Sequence, residues 1–330
     1  MRCINKRIKR VLSLLLAQLF LCVSLCGCSV EQKPEDAFTV DRPGLGIQER
    51  SDDADISYFA EGLCVAAEDV KVMEAEAQDA LSACFFHLDT REVLYAKNIH
   101  DRVYPASTTK IMTALLLLEH GDLDEQATVS REAVTLHERG VTTAKLKEGD
   151  VLTLRQLLYA LLLVSANDAA NVIAEKIGGS IDQFAVMMNE KAAAIGATGT
   201  HFVNPHGLHN EEHYTTAYDL YLMFGEAMKY DTFLEVLGVP SYETTYMSSD
   251  GQEVSASWSS SNRFTKGDVT VPEGVKAVGG KTGSTRAAMS CLVQLFEDAQ
   301  ENRYVAIILG CSERAILYEE MQGFLSALNN

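Results

Sequence analysis

Ser107-Thr108-Thr109-Lys110 carries a hydroxyl and an amine three residues apart. On a helix, positions i and i+3 share a face, so Lys110 would sit one turn beyond Ser107. A serine hydroxyl is a poor nucleophile until a base takes its proton, and a neutral lysine amine can do that. A helix N-terminus also offers free backbone N–H groups to a developing oxyanion. The pattern alone is weak, since about one chance match is expected in a chain this long.

Two further patterns add chemistry. Ser165-Ala166-Asn167 follows the apolar stretch 157–164, whose burial would hold the next turn rigidly. There a hydroxyl can relay a proton and an amide can hold a peptide group. Ser260-Ser261-Asn262 has the same form but no preceding apolar helix, so it ranks second. Lys281-Thr282-Gly283 stands at the entrance of an apolar strand, with Ser284 and Thr285 beyond it. Lys281 brings positive potential, Thr282 and Thr285 offer hydroxyls to a carboxylate, and Gly283 allows a substrate close to the strand backbone. Chance supplies that triplet in on the order of one such chain in ten.

Local signals place these residues on elements. Residues 80–88 read as a strand, Asp89-Thr90-Arg91 as a turn and 92–96 as its hairpin partner. Pro105 precedes a helix over about 107–120, closed by Gly121. Thr153 with Gln156 forms a capping box before 154–164. Asp168 is expected to cap a helix ending at Gly178-Gly179, and Ser180 opens another that reaches Gly196. A helix over about 216–228 follows, and strands are expected after Ser255. Residues 289–296 and 304–310 pair across an acidic turn, and 315–328 is a closing helix. Strands, helices, strands, helix, without regular alternation, predict an α+β fold with an antiparallel sheet and surrounding helices.

The three patterns in this order match the active-site set of penicillin-recognising enzymes. Further segments narrow the resemblance. Tyr104-Pro-Ala-Ser-Thr-Thr-Lys-Ile-Met-Thr-Ala114, Asn204-Pro-His-Gly-Leu208, His213-Tyr-Thr-Thr-Ala-Tyr-Asp-Leu220 and Gly279-Gly-Lys-Thr-Gly283 resemble the serine-type D-Ala-D-Ala carboxypeptidases, the low-molecular-weight penicillin-binding proteins. The likeness runs from about Ala80 to Leu328. It implies a DD-peptidase/β-lactamase-like fold, with a central antiparallel sheet flanked by helices and an all-helical subdomain carrying Ser165 and Asn167. It implies Ser107 as acyl-ester nucleophile, Lys110 as base, Ser165 as proton relay and Asn167 on the acyl-side amide. Lys281, Thr282, Gly283, Ser284 and Thr285 would line the substrate carboxylate site, and the N–H groups of Ser107 and Ser284 the oxyanion hole. Lys281 would help keep Lys110 neutral. The implied partners are stem peptides ending in D-Ala-D-Ala, with β-lactams as covalent inhibitors and no cofactor.

Three features depart from the family pattern. Ala288 is followed by Met289 where Ala-Gly is frequent. The arginine that helps bind the carboxylate has two candidates here, Arg286 and Arg314. No second β domain or C-terminal amphipathic anchor is expected after the catalytic region, where many relatives carry both.

Two enzymatic rivals carry distinct expectations. A class A β-lactamase needs a water-activating Glu after the Ser-x-Asn motif, and residues 196–204 contain none. A zinc peptidase would use His206, His209 and His213, whose spacing resembles a ligand set, although Pro205 and Gly207 interrupt any helix there. The non-enzymatic rival is an inactive penicillin-binding lipoprotein.

The N-terminus reads as export machinery. A basic stretch ends at Arg10, an apolar run covers 11–26, and Leu25-Cys26-Gly27-Cys28 resembles a lipobox. Residues 1–28 are therefore expected as a lipoprotein signal peptide with Cys28 lipidated. An acidic tether over 29–62 and a catalytic domain over 63–330 would follow. The body would lie outside the cytoplasm, held at the membrane by its lipid. The formal net charge is −18, and removing a leader with five basic residues and no acids takes it to −23. Such a charge repels phosphates and argues against nucleic acid. Cys64, Cys84, Cys291 and Cys311 are either buried thiols or disulfides. Trp258, in a Ser-rich stretch, is expected to be partly exposed.

Overall fold

The computed structural model describes residues 62–328 except 137, 139 and 140. The expected signal peptide, the lipidated Cys28 and all but the end of the tether lie outside the described residues. Strands β1 (Val70–Lys71), β2 (Ser82–His87), β3 (Glu92–Lys97), β8 (Val275–Thr285), β9 (Met289–Asp298) and β10 (Arg303–Cys311) build one six-stranded sheet. Its order is β1-β3-β2-β10-β9-β8, antiparallel throughout, with β8 on an edge. The central strands are buried on both faces, because successive side chains alternate. Phe85 packs toward the helix over Arg314–Ala327, where it stacks on Phe324. Phe86 points the other way and meets Tyr221 edge-on.

That second face carries the helical part. Helix α1 (Lys110–His120) is buried all along Lys110–Leu117, as expected of a helix apolar on every side. Around it lie α3 (Leu154–Tyr159), α4 (Asn167–Gly178), α5 (Ile181–Ala194) and α6 (Ala217–Ala227), with the short α2 (Arg131–Val134) between. The Thr153–Gln156 capping box forms in both directions, and Ser180 caps α5 through the Gln183 N–H. Gly179 closes α4 in the left-handed region at φ 79°.

Several expectations are corrected. Helix α3 does not run regularly to Val164: residues Ala160–Val164 widen into a π-turn, a distortion common at functional sites. Asp168 does not cap α4. It lies inside the first turn, and its carboxylate accepts the N–H groups of Ala144 and Leu146. A second sheet was not foreseen. It has the order β4-β5-β6-β7, from Gln126–Thr128, Val151–Thr153, Ser241–Met247 and Glu253–Ser259. Polar residues alternate along β6 and β7, so one face is solvated and the apolar signal is thin. Trp258 belongs to this sheet and is buried, at 4% exposure, stacked near Tyr242. The four cysteines of the body are buried free thiols, with no disulfide among the described residues.

Candidate active site

Ser107 sits in a tight turn over Ala106–Thr109, directly ahead of α1. Its predecessor Ala106 adopts φ +48°, a left-handed conformation that costs an alanine about 1–2 kcal/mol. Side chains hold that strain in place. Val203 N–H donates to His213 Nδ1 at 3.1 Å, so the imidazole proton resides on Nε2. Nε2 donates to Thr109 Oγ1 at 2.8 Å, and Thr109 donates to the Ala106 carbonyl at 2.8 Å. Burial pushes His213 down to about 3, which keeps this donor and acceptor pattern fixed. Gly207 covers the same carbonyl: a Cβ there would lie 1.8 Å from Ala106 O.

Lys110 begins α1 and is fully buried. Its Nζ lies 3.1 Å from Ser107 Oγ, 2.6 Å from Asn167 Oδ1 and 2.6 Å from the His206 carbonyl. As an ammonium it donates to all three. As an amine it keeps two N–H groups for Asn167 and His206 and turns its lone pair to the Ser107 hydroxyl. Burial pushes its pKa well below the usual lysine range, and the charge of Lys281 pushes in the same direction. Asp168 opposes both.

Ser165 occupies the left-handed region at φ 65°, where the π-turn ends, and this turns its side chain into the cleft. Lys281 Nζ donates to Ser165 Oγ at 2.9 Å and to the Thr282 carbonyl at 2.8 Å. Each buried lysine thus serves one serine. Burial first, and then the positive charge of Arg314, bring Lys281 down to about 7. Lys281-Thr282-Gly283 lies within β8 rather than at its entrance. What approaches Gly283 is the Ser107 turn itself. A Cβ there would lie 2.9 Å from Pro105 O and 3.0 Å from Ser107 N. That proximity brings the Ser107 N–H beside the β8 backbone, where an oxyanion could be shared with Ser284 N–H. Ser284 is exposed, and Thr285 Oγ1 accepts the Ala288 N–H in the β8–β9 turn.

Residues 69–313 match the D-alanyl-D-alanine carboxypeptidase family, Peptidase S11. The chain belongs to the D-alanyl-D-alanine carboxypeptidase family. Among the carboxypeptidases it resembles is DacF of Bacillus subtilis, 34% identical over 253 residues, covering 75% of this chain and 61% of the relative. Another is DacB2 of Mycobacterium tuberculosis, 33% identical over 225 residues, with 68% and 72% covered. The solved Streptomyces K15 DD-transpeptidase superposes with a TM-score of 0.70 at 28% identity, covering 77% of this chain and 98% of that one. The expected α+β DD-peptidase fold is therefore present.

Within the carboxypeptidase fold, Ser107, Lys110, Ser165, Asn167, Lys281 and Thr282 share one cleft. Of the two arginine candidates, Arg314 at the start of the last helix is the one whose charge reaches Lys281, while Arg286 is exposed on the β8–β9 turn. The histidine triplet does not form a ligand set. His206 Nδ1 accepts the Leu208 N–H, His213 is engaged as described, and His209 packs edge-on against Tyr104. Among the described residues no group of three metal-ligating side chains converges. The β-lactamase alternative is not favoured by the family match. The carboxylate that couples to Lys110 is Asp168, which is spent on the backbone N–H groups of Ala144, Leu146 and Ala169. The motifs alone did not reveal the contacts through which Thr109, His213 and Ser261 act. Ser261 Oγ lies 2.7 Å from Thr282 Oγ1. The second Ser-x-Asn pattern was its signal, discounted for want of an apolar helix before it.

Proposed function

We propose that this chain is a serine-type D-Ala-D-Ala carboxypeptidase that removes the terminal D-Ala of peptidoglycan stem pentapeptides through a Ser107 acyl-enzyme. The observation that carries the reading is the pair of fully buried lysines, each hydrogen-bonded to a different serine across one cleft. Lys110, kept neutral by burial and by Lys281, takes the Ser107 proton as Oγ attacks the carbonyl of the penultimate D-Ala. The oxyanion is held by the N–H groups of Ser107 and Ser284. As the C–N bond breaks, Ser165 gives its hydroxyl proton to the leaving amine and is reprotonated by the proton that Lys110 took from Ser107. Water then attacks the ester carbonyl as Lys110 takes its proton, and that proton passes to Ser107 Oγ as the ester C–O bond breaks. Asn167 keeps its NH2 group for the acyl-side amide, since Lys110 engages its oxygen. Lys281, Thr282 and Arg314 take the terminal carboxylate. β-Lactams would enter the same cleft and acylate Ser107, with slow release because Asp168, the carboxylate that couples to Lys110, is spent on backbone N–H groups and does not activate water. The test is Ser107→Ala, which removes both D-Ala release and covalent penicillin labelling. Labelling that survives would overturn the assignment.

Residues 1–28 act, on this reading, as a lipoprotein signal peptide, with Cys28 as the lipidated residue and an acidic spacer over 29–62. The catalytic body over 63–330 then works outside the cytoplasm, where peptidoglycan is. Two acyl chains suffice for stable anchoring. Cys28→Ala should release or mislocalise the protein, and palmitate label persisting on that variant would refute the anchor.

A further inference from the structure

Segment 260–262 spans the two walls of the cleft. Ser261 N–H donates to the Leu163 carbonyl at 2.8 Å, two residues before Ser165. Asn262 Nδ2 donates to Gln294 Oε1 at 2.6 Å on β9, and its Oδ1 accepts the Phe264 N–H at 3.0 Å. Gln294 is fully buried and lies in register with Gly280, one residue before Lys281. The loop is therefore pinned to the helical wall by its backbone and to the sheet by Asn262. Between these anchors, half-buried Ser261 presents its hydroxyl to Thr282.

Hydrogen-bond counting gives this contact a direction. A carboxylate only accepts. Two of the three Lys281 N–H groups are spent on Ser165 and the Thr282 carbonyl, so at most one remains for a substrate carboxylate. The Thr282 hydroxyl has a single hydrogen. If it donated that hydrogen to Ser261, it would have none for the substrate. Resting on the carboxypeptidase reading above, we propose that Ser261 is a positioning residue for the substrate carboxylate. Its O–H donates to Thr282 Oγ1, aims the Thr282 hydrogen into the cleft, and so favours peptides with a free C-terminus. Donors in such a chain polarise one another.

The experiment compares wild type, Ser261→Ala and Ser261→Thr on a peptide ending in D-Ala-D-Ala and on the same peptide as its C-terminal amide. Ser261→Ala should raise KM for the acid about 3- to 10-fold, the range of one neutral hydrogen bond. It should leave kcat within about twofold and the amide kinetics unchanged. Ser261→Thr, which keeps the hydroxyl, should restore KM. Equal losses on acid and amide, an unchanged KM for the acid, or a threonine variant as impaired as alanine would each overturn the proposal. Wild type that releases no D-Ala at all would instead count against the carboxypeptidase reading.

Discussion

Gly207→Ala tests how strictly the Ser107 turn is held. A Cβ at this position would lie 1.8 Å from Ala106 O, 2.4 Å from Ala106 C and 2.8 Å from Thr109 Oγ1. Ordinary contact begins near 3.4 Å, so about 1.6 Å must open. The first two of those atoms are backbone, with no flexible tip to swing aside. Movement on one side shifts the Ala106 carbonyl and with it Ser107. Movement on the other carries the adjacent His206 carbonyl away from Lys110. The φ of +84° adds about 1–2 kcal/mol for an alanine, and overpacking adds about 1–3 kcal/mol. A total of about 3 kcal/mol lowers Tm by roughly 6–12 °C. Misplacing a reacting group by about 1 Å costs on the order of 100-fold in rate. The assay is the rate of fluorescent-penicillin acylation per folded molecule, alongside a thermal melt. Gly225→Ala, within α6 and with nothing inside 4 Å, is the control. It should keep full activity and gain about 1 kcal/mol from helix propensity. A Gly207→Ala protein that acylates at the wild-type rate would show that the Ser107 turn is not held by this contact.

Other expectations follow from charge and burial. His206 and His213 both sit at about 3 when folded, against 6.5 unfolded. The unfolded chain then binds more protons between those values, so stability falls as pH drops from 6.5 toward 3. Urea melts at pH 7 and 4.5 should show His213→Asn losing on the order of 2 kcal/mol less than wild type across that step; identical losses would contradict the buried neutral imidazole. Lys281→Met removes a like charge from beside Lys110, so the Lys110 pKa rises and the acidic limb of the acylation pH profile moves to higher pH; a shift to lower pH would reverse the sign of the coupling. Dithiothreitol should leave Tm unchanged, because the body cysteines are free thiols, and a drop of several degrees would reveal a disulfide.

The helices were legible because their signals are local. The Thr153–Gln156 box, the Ser180 cap and the apolar run through Leu115–Leu117 each lie within a few residues. The β2–β3 hairpin and the β9–β10 pair were legible for the same reason. The β6–β7 hairpin was not, although its pairing is just as local, since Glu243, Thr245, Glu253 and Ser255 interrupt any apolar run. Among the candidate site residues, Ser107, Lys110, Ser165, Asn167 and Lys281 were named by spacing and resemblance. His213 and Ser261 act through contacts 104 and 21 residues away in sequence, which no local pattern encodes. Asp168 misled because a cap and a long-range acceptor use the same side chain.

The most direct measurement incubates the enzyme with a pentapeptide ending in D-Ala-D-Ala and follows both products, with a quenched sample analysed by mass for the peptide that contains Ser107. D-Ala and tetrapeptide should appear in equal amounts, with an acyl adduct on Ser107, and neither product nor adduct should form with Ser107→Ala. Release of D-Ala by the Ser107→Ala protein, or an adduct on any other residue, would contradict Ser107 as the nucleophile.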